Sequence, residues 1–182
     1  GVISPILANM ALDGIQEVLV QNFELSRKGK VSYFEHQKSR VNFVRYADDF
    51  IVTAATKEIA LEAKEIIRAF LKTRGLELSE EKTLITHIDD GFDMLGWTFR
   101  KFKGKLIVKP SKKSIKSFVA SLSETVIKRG KAWKQEGLIE KLNQQIRGWT
   151  NYHQSVCANE TFSYIDNALF WMLWRWAKRR HP

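Results

Sequence analysis

Cysteine and long apolar runs are nearly absent from this sequence. The single cysteine, Cys157, excludes an intramolecular disulfide and is typical of a reducing compartment. We expect its side chain to be buried as a small hydrophobe. The richest apolar run, residues 168–177, is interrupted by Arg175, so no segment is predicted to cross a bilayer. Apolar residues nevertheless make up 44% of the 182 residues, which is typical of a globular protein with a substantial core.

Acidic residues are few relative to basic ones. Thirty lysines and arginines against twenty acids give a net charge of +10 and a pI near 9.7, which indicates a polyanionic partner. Residues 100–134 hold twelve basic side chains and one acid, Glu124, and a second basic cluster lies at residues 175–181. Charge runs are often only solvated faces, but this segregation favours a surface that follows the phosphates of a nucleic acid.

Two adjacent carboxylates, Asp48 and Asp49, stand between two short apolar runs. The runs, Val41–Tyr46 and Phe50–Ala54, predict the two strands of a hairpin with the aspartates at its tip. If the hairpin is buried, the two charges repel each other and lose hydration unless a cation lies between them. Mg²⁺ takes such hard oxygen ligands together with substrate phosphates. The alternative is that both are ordinary turn residues facing water.

The rest of the first 110 residues predicts a mixture of helices and strands. Ser4-Pro5 is typical of a helix start, and apolar spacing continues that helix to about Leu19. The polar stretch Gln21–Arg40 reads as a loop or short hairpin. Thr56 is predicted to cap an amphipathic helix that ends at Gly75. Further strands are predicted at Leu84–Ile88, Met94–Phe102 and Lys105–Lys109, the last two turning at Lys103-Gly104.

The pattern changes after Pro110. Residues 111–129, 138–153 and 161–180 each show helical apolar spacing. The sequence therefore predicts an α+β protein with two domains, a mixed part at residues 1–110 and a three-helix part at residues 111–182. Trp171, Trp174 and Trp176 cannot share one face of the last helix, so at least one is expected to be exposed or to contact a partner.

This order of elements resembles the second half of a reverse-transcriptase palm followed by its thumb. More narrowly, it resembles the reverse transcriptase/maturase proteins that group II introns encode. The motifs that carry the resemblance span nearly the whole chain: Gly1-Val2-Ile3-Ser4-Pro5-Ile6-Leu7-Ala8-Asn9, Tyr46-Ala47-Asp48-Asp49-Phe50, Leu78-Ser79-Glu80-Glu81-Lys82-Thr83, Phe92-Asp93-Met94-Leu95-Gly96-Trp97, Gly148-Trp149-Thr150-Asn151-Tyr152-His153 and Arg175-Trp176-Ala177-Lys178-Arg179-Arg180-His181-Pro182.

The resemblance implies an RNA-directed DNA polymerase that copies RNA into DNA by two-metal phosphoryl transfer. Asp48 and Asp49 would be catalytic metal ligands for Mg²⁺, with Mn²⁺ as an alternative. Lys82 would neutralise the leaving pyrophosphate, although a solvated surface lysine explains it equally well. Residues implied to lie near the deoxynucleoside triphosphate or the primer are Ser4, Pro5, Asn9, Tyr46, Ala47, Leu95 and Gly96.

The thumb and maturase part is expected to bind template RNA, intron RNA and an RNA–DNA duplex. The residues expected to contact nucleic acid are Lys109, Lys112, Lys113, Lys116, Arg147, Trp149, Tyr152, Arg179 and Arg180. Trp149 has an alternative role in the core, since aromatics at helical spacing are more often buried. Gly148 inside a helix costs about 1 kcal/mol relative to alanine, which suggests close packing or RNA approach.

The resemblance also implies that this sequence lacks part of a polymerase. In the family, the fingers and a third catalytic carboxylate precede the Ser4-Pro5 helix, so we expect the chain alone to be inactive and to need that N-terminal segment as a partner. The implied location is either the bacterial cytoplasm, in association with the nucleoid or with ribonucleoprotein, or an organelle. No membrane partner is expected. The alternatives are a non-enzymatic RNA-binding splicing factor and a CRISPR-associated reverse transcriptase.

Overall fold

The computed structural model describes residues 4–26 and 28–180, and the chain divides into two compact units between Ile85 and Thr86. Helices and two small antiparallel sheets make up these residues, so the predicted α+β class is confirmed. The domain boundary expected after Pro110 stays a prediction, and the unit that begins at Thr86 includes the second sheet. No helix of the described residues is long and apolar enough to span a membrane.

The first unit begins with three short helices. They are α1 (Ser4–Leu12), α2 (Ile15–Phe23) and α3 (Tyr33–Ser39). The prediction of one helix reaching Leu19 is wrong because Gly14 takes φ 93°, a left-handed value that interrupts the helical ladder. The expected loop at Gln21–Arg40 is also only partly right. A single bridge pairs Leu25 with Val31, but the following residues form α3.

The core of the first unit lies between a hairpin and a long helix. Strands β1 (Asn42–Tyr46) and β2 (Asp49–Thr53) pair antiparallel, and α4 (Lys57–Lys72) follows. The predicted caps of α4 are confirmed. Oγ1 of Thr56 accepts from N–H of Ile59 at 3.3 Å, and Gly75 has φ 70°. Buried in this core are Ile15, Leu19, Val41, Ala63, Ile67 and Leu71, with Phe43 and Phe50 packed against them.

A three-stranded meander opens the second unit. It consists of β3 (Phe92–Met94), β4 (Trp97–Phe102) and β5 (Lys105–Pro110), paired in that order. The predicted turn at Lys103-Gly104 is confirmed, with φ 47° and 78°. The continuous strand expected over Met94–Phe102 is wrong, because Leu95 and Gly96, with φ 51° and 80°, form a further turn between β3 and β4.

The strand predicted at Leu84–Ile88 does not form. Its one ladder-like bond runs from N–H of Lys101 to the carbonyl of Ile88 at 2.9 Å, and the segment pairs with no strand among the described residues. Leu84 is 78% exposed, so the apolar run that suggested a strand begins on the surface.

Three helices complete the second unit, as predicted. Ser111 caps α5 (Lys112–Ser123), which continues into a π-helical segment (Glu124–Arg129) and a short 3₁₀ turn (Gly130–Ala132). Helices α6 (Gln135–His153) and α7 (Asn159–Arg180) follow. Their shared core holds Phe118, Leu122, Val126, Leu138, Leu142, Ile165 and Met172. Cys157 is exposed, so its predicted burial is wrong.

Candidate active site and nucleic-acid interface

Asp48 and Asp49 lie at the tip of the β1–β2 hairpin, as the sequence predicts. Tyr46 pairs with Asp49 across the ladder, so Ala47 and Asp48 form the turn. The expectation of a buried tip is wrong, since Tyr46, Ala47 and both aspartates are exposed. Ala47 takes φ 53°, a left-handed value that costs a non-glycine residue roughly 1–2 kcal/mol. The turn therefore stores strain beside the two carboxylates, as functional sites often do.

Arginine side chains connect helix α1 to the elements beside it. Nη1 of Arg45, on β1, donates to the carbonyl of Asn9 at 3.3 Å. Nη1 of Arg74 donates to the carbonyls of Met10 and Ala11 at 2.8 and 3.1 Å. These bonds satisfy carbonyls in the last turn of α1, where a cation also complements the helix dipole. They fix Asn9, whose side chain is exposed, relative to the strand that carries Tyr46. Ser4 and Pro5 begin α1, but their side chains lie outside the described residues.

The two aspartates match one part of a divalent-metal site. Mg²⁺ is usually bound through one or two carboxylates, with waters and substrate phosphates supplying the remaining ligands. Adjacent exposed carboxylates at a rigid turn meet that requirement. The described residues hold no group of three or more acidic, histidine or cysteine side chains that could enclose an ion. The donor set therefore fits a metal that arrives with a phosphate ligand or with a further carboxylate.

Lys82 lies in an exposed turn after α4. Its N–H bonds to the carbonyl of Ser79 at 3.2 Å. Nearby, Glu80 fixes this segment to α4 through ion pairs with Lys64, at 2.8 Å, and with Arg68. Hydrogen bonds from Lys64 and Arg68 hold the pKa of the Glu80 carboxyl below its usual value. The ammonium group of Lys82 forms no ion pair among the described residues, so its position is compatible with both the leaving-group role and the solvated-lysine alternative.

The turn at Leu95-Gly96 is held by helices of the second unit. The carbonyl of Gly96 accepts from N–H of Ser111 at 2.8 Å, and the carbonyl of Leu95 accepts from Oη of Tyr152 at 2.7 Å. Gly96 belongs to a turn, with positive φ, rather than to a strand. A Cβ here would lie 3.6 Å from Oγ of Ser114, and the backbone conformation rather than space favours glycine.

Aromatic contacts join the same hairpin to α6. The rings of Trp97 and Tyr152 stack with centroids 4.7 Å apart and planes 6° from parallel. Nε1 of Trp97 donates to Nδ1 of His153 at 2.8 Å, and Nε2 of His153 lies 3.3 Å from Oγ of Ser114. His153 is 1% exposed, and burial lowers its pKa below the usual value. This network was not predicted from the sequence. The adjacent pair Tyr152-His153 is the one feature of the local sequence that could have indicated it.

The structure distinguishes between the alternative roles predicted for Trp149 and Gly148. The Trp149 ring stacks on Phe118 at 4.7 Å and also contacts the bundle core, which supports the core alternative. A Cβ on Gly148 would meet nothing within 4 Å, so close packing within the described chain does not explain this glycine. Only the alternative of nucleic-acid approach is left for Gly148, and it stays a prediction.

The basic side chains predicted to contact nucleic acid lie on the surface of the second unit. Lys112, Lys113 and Lys116 are exposed on the first two turns of α5, and Arg147 is exposed on α6. Lys109, on β5, pairs with Glu160 at 3.3 Å. At the end of α7, Arg179 is exposed, whereas Arg180 donates to the carbonyl of Trp133 and lies 5.2 Å over the Trp176 ring. Arg180 is therefore already engaged within the chain.

Comparisons with known proteins match the chain to two family profiles. Residues 1–99 match the family profile described as reverse transcriptase (RNA-dependent DNA polymerase), and residues 115–182 match the group II intron maturase-specific domain. The first match covers more than half of the chain.

Two curated relatives are similar over part of their length. The Group II intron-encoded protein LtrA of Lactococcus lactis subsp. cremoris is 29% identical over 143 residues, covering 62% of this chain and 24% of that protein. Protein YkfC of Escherichia coli (strain K12) is 30% identical over 114 residues, covering 53% and 30%. The chain thus spans about a quarter to a third of the length of these relatives. It belongs to the reverse-transcriptase family, as a group II intron type with a maturase-specific domain.

Proposed function

We propose that this chain supplies the metal-binding hairpin and the thumb of an RNA-directed DNA polymerase. The observation that carries the proposal is the pair Asp48 and Asp49, exposed at a strained two-residue turn in the part that matches reverse transcriptases. The two aspartates do not contribute to the packing of the core, because neither side chain is buried.

Several residues of the first unit have a role in this proposal. Asp48 and Asp49 would hold the divalent cation, Mg²⁺ or Mn²⁺, which supplies charge stabilisation for the attacking 3′-oxygen and the pyrophosphate. Tyr46 and Ala47 would lie along the primer end, and Asn9, with Ser4 and Pro5, would bound the nucleotide. Arg45 and Arg74 would keep α1 in place through its carbonyls. Lys82 would offset charge on the pyrophosphate.

A further polypeptide segment would complete the first unit. Large apolar side chains are exposed there in number, which is unusual for a finished domain surface. They include Val44 and Tyr46 on one face of the hairpin, and the others are Ile6, Leu7, Met10, Val31, Tyr33, Phe34, Leu61, Leu76, Leu84 and Ile85. The fingers and remaining palm strands of the family are the occupant that we propose, together with a third carboxylate near Asp48.

The second unit would hold the primer–template duplex and intron RNA. The turn at Leu95-Gly96, held by Tyr152 and Ser111, would contact the primer backbone. The exposed lysines of α5, with Lys109 and Arg147, would neutralise phosphates. The maturase-domain match favours RNA binding as a second function. The chain would then lie with ribonucleoprotein, in the cytoplasm or in an organelle.

Primer extension on an RNA template tests the proposal. The chain would be assayed with Mg²⁺ and deoxynucleotides, alone and with a fingers and palm segment of the family added in trans. Asp48→Asn and Asp49→Asn would be compared with Asp166→Asn, an exposed aspartate on α7. We expect extension only with the added segment and its loss by several orders of magnitude in either tip variant.

Two results would contradict this assignment. Full extension by Asp48→Asn in the complemented assay would exclude the metal role. Strong extension by the unsupplemented chain, abolished by Asp48→Asn, would retain the role and exclude the need for the added segment.

A further inference from the structure

A cavity of about 280 Å³ opens between the end of α7 and the π-helical segment. We call it the basic pocket, because four of its seven lining residues are basic and none is acidic. The lining comprises Val126, Ile127, Lys131, Arg175, Trp176 and Arg179, together with Arg180. It lies wholly within the second unit and shares no lining residue with the lysine surface of α5.

Three of the four positive charges are available to a ligand. Among the described residues, Lys131, Arg175 and Arg179 take part in no ion pair. Arg180 differs, since it is held by the Trp133 carbonyl and the Trp176 ring. Like charges around one cavity repel each other until an anion enters, and guanidinium groups bind phosphate oxygens especially well.

A hydrogen bond and a tight backbone turn hold two walls of the basic pocket together. Nε1 of Trp176 donates to the carbonyl of Gly130 at 2.8 Å, which ties α7 to the 3₁₀ turn carrying Lys131. At Gly130 a Cβ would lie 2.8 Å from the carbonyl oxygen of Thr125, so the turn requires glycine. The preceding π-helical segment contributes Val126 and Ile127, and such segments are frequent at functional sites.

The apolar part of the lining indicates more than a phosphate. Val126 is fully buried, but Ile127 and Trp176 would be left unmatched by a phosphate alone, whereas a nucleotide carries a flat apolar base. One turn earlier on α7, the side chain of Trp171 is exposed. Trp171 and Arg175 are four residues apart and so lie on the same side of the helix. An exposed aromatic ring beside a basic groove is typical of sites for unpaired nucleic acid.

We propose that the basic pocket and the adjacent exposed ring of Trp171 bind unpaired, single-stranded nucleic acid. A phosphodiester would lie among Lys131, Arg175 and Arg179, and neighbouring bases would contact the apolar lining and the ring of Trp171. A duplex does not fit this description, because its bases are stacked inside and only its phosphates reach a concave surface. The inference rests on the proposed nucleic-acid function and adds to it a single-stranded partner, separate from the duplex on α5.

Fluorescence anisotropy of labelled oligo(U), and of an RNA–DNA duplex of equal length, tests the inference on the 182-residue chain. The variants are R175Q/R179Q and W171A, and the matched control is K28Q/K30Q, two exposed lysines of the first unit. Each test variant should weaken oligo(U) binding at least about fivefold, which for W171A is the change that losing one stacked base implies. Duplex binding should change less than about twofold, as should both ligands with the control, because scattered surface charges contribute little each.

Photocrosslinking gives a second measurement that needs no variant. Oligo(U) containing 5-iodouridine should crosslink to α7 peptides, identified by mass spectrometry. The inference is overturned if the crosslinks map elsewhere. It is also overturned if neither test variant weakens oligo(U) binding more than K28Q/K30Q does. Loss of duplex binding on replacing the α5 lysines, with oligo(U) binding unchanged by the pocket variants, would overturn this inference alone. The opposite pattern would overturn only the duplex role of α5.

Discussion

The indole nitrogen of Trp97 donates a hydrogen bond of 2.8 Å to Nδ1 of His153. Because an indole N–H can only donate, Nδ1 must accept, and the proton of the neutral imidazole lies on Nε2, which faces Oγ of Ser114 at 3.3 Å. The tautomer of His153 is therefore set by its neighbours. One neutral side chain joins β4, α5 and α6, the elements that hold the Leu95-Gly96 turn.

Acidification should weaken the second unit through His153. Burial lowers the pKa of this imidazole in the folded chain below the usual 6.5, so the unfolded chain binds the proton first. The free energy of unfolding should therefore fall as the pH drops below about 6.5, by at most about 1.4 kcal/mol per pH unit, until the folded-state pKa is reached. Urea unfolding of the chain between pH 5 and 8 measures this slope.

The control for the acid effect is His153→Gln. Its amide oxygen can still accept from Trp97, but the side chain does not titrate. We expect a lower stability at neutral pH and a flatter pH profile, because the one buried imidazole of the described residues is then absent. An unchanged slope in His153→Gln would assign the acid sensitivity to other groups.

Tyr152→Phe should loosen the turn at Leu95-Gly96 without removing the stacked ring. The variant loses the 2.7 Å bond to the Leu95 carbonyl and keeps the contact with Trp97. We expect a loss of about 0.5–1.5 kcal/mol in unfolding free energy, the usual net value of one hydrogen bond. Amide hydrogen exchange should be faster at Gly96 and Trp97, and Tyr152→Ala should exceed both effects. Equal stability of Tyr152→Phe and the original chain would show that the bond contributes nothing.

Gly130→Ala should destabilise the second unit although its backbone φ is ordinary. The added Cβ would lie 2.8 Å from the Thr125 carbonyl oxygen and 3.0 Å from Cδ1 of Leu138. Overpacking of this kind costs about 1–3 kcal/mol. The matched control is Gly137→Ala in α6, where a Cβ meets nothing within 4 Å and helix propensity favours alanine by about 1 kcal/mol. Thermal unfolding should move in opposite directions for the two variants, and a shared direction would contradict the steric argument.

Replacing Lys112, Lys113 and Lys116 together with alanine should weaken duplex binding and its salt dependence. Each phosphate contact contributes about 0.7–0.9 to the slope of log affinity against log salt, so the slope should flatten by roughly 1–3. The fold should persist, because Phe118 and Val119 keep the apolar face of α5. The control replaces Lys28, Lys30 and Lys57, exposed lysines of the first unit. An identical slope change in both triple variants would indicate a general charge effect.

Much of the fold was predictable because its signals are local. The helical spacing after Ser111, the Thr56 and Gly75 caps of α4 and the hairpin around Asp48-Asp49 each depend on a few neighbouring residues, and all are confirmed. The failures have equally local causes. The apolar spacing continues past Gly14, but the left-handed conformation of this glycine ends the helix there. At Leu84–Ile88, the apolar pattern could not reveal that no partner strand is present among the described residues.

The sequence by itself determined the family, the two carboxylates and the segregation of charge, since these depend on which residues occur and in what order. Only the tertiary structure decided how exposed those groups are and what they contact. Trp97 and His153 are far apart in the chain, and their hydrogen bond exists because packing of the bundle brings strand and helix together. The same packing engages Arg180 and leaves Arg175 and Arg179 facing a cavity, a distinction that no local pattern carries, because burial and partnership are properties of the folded chain.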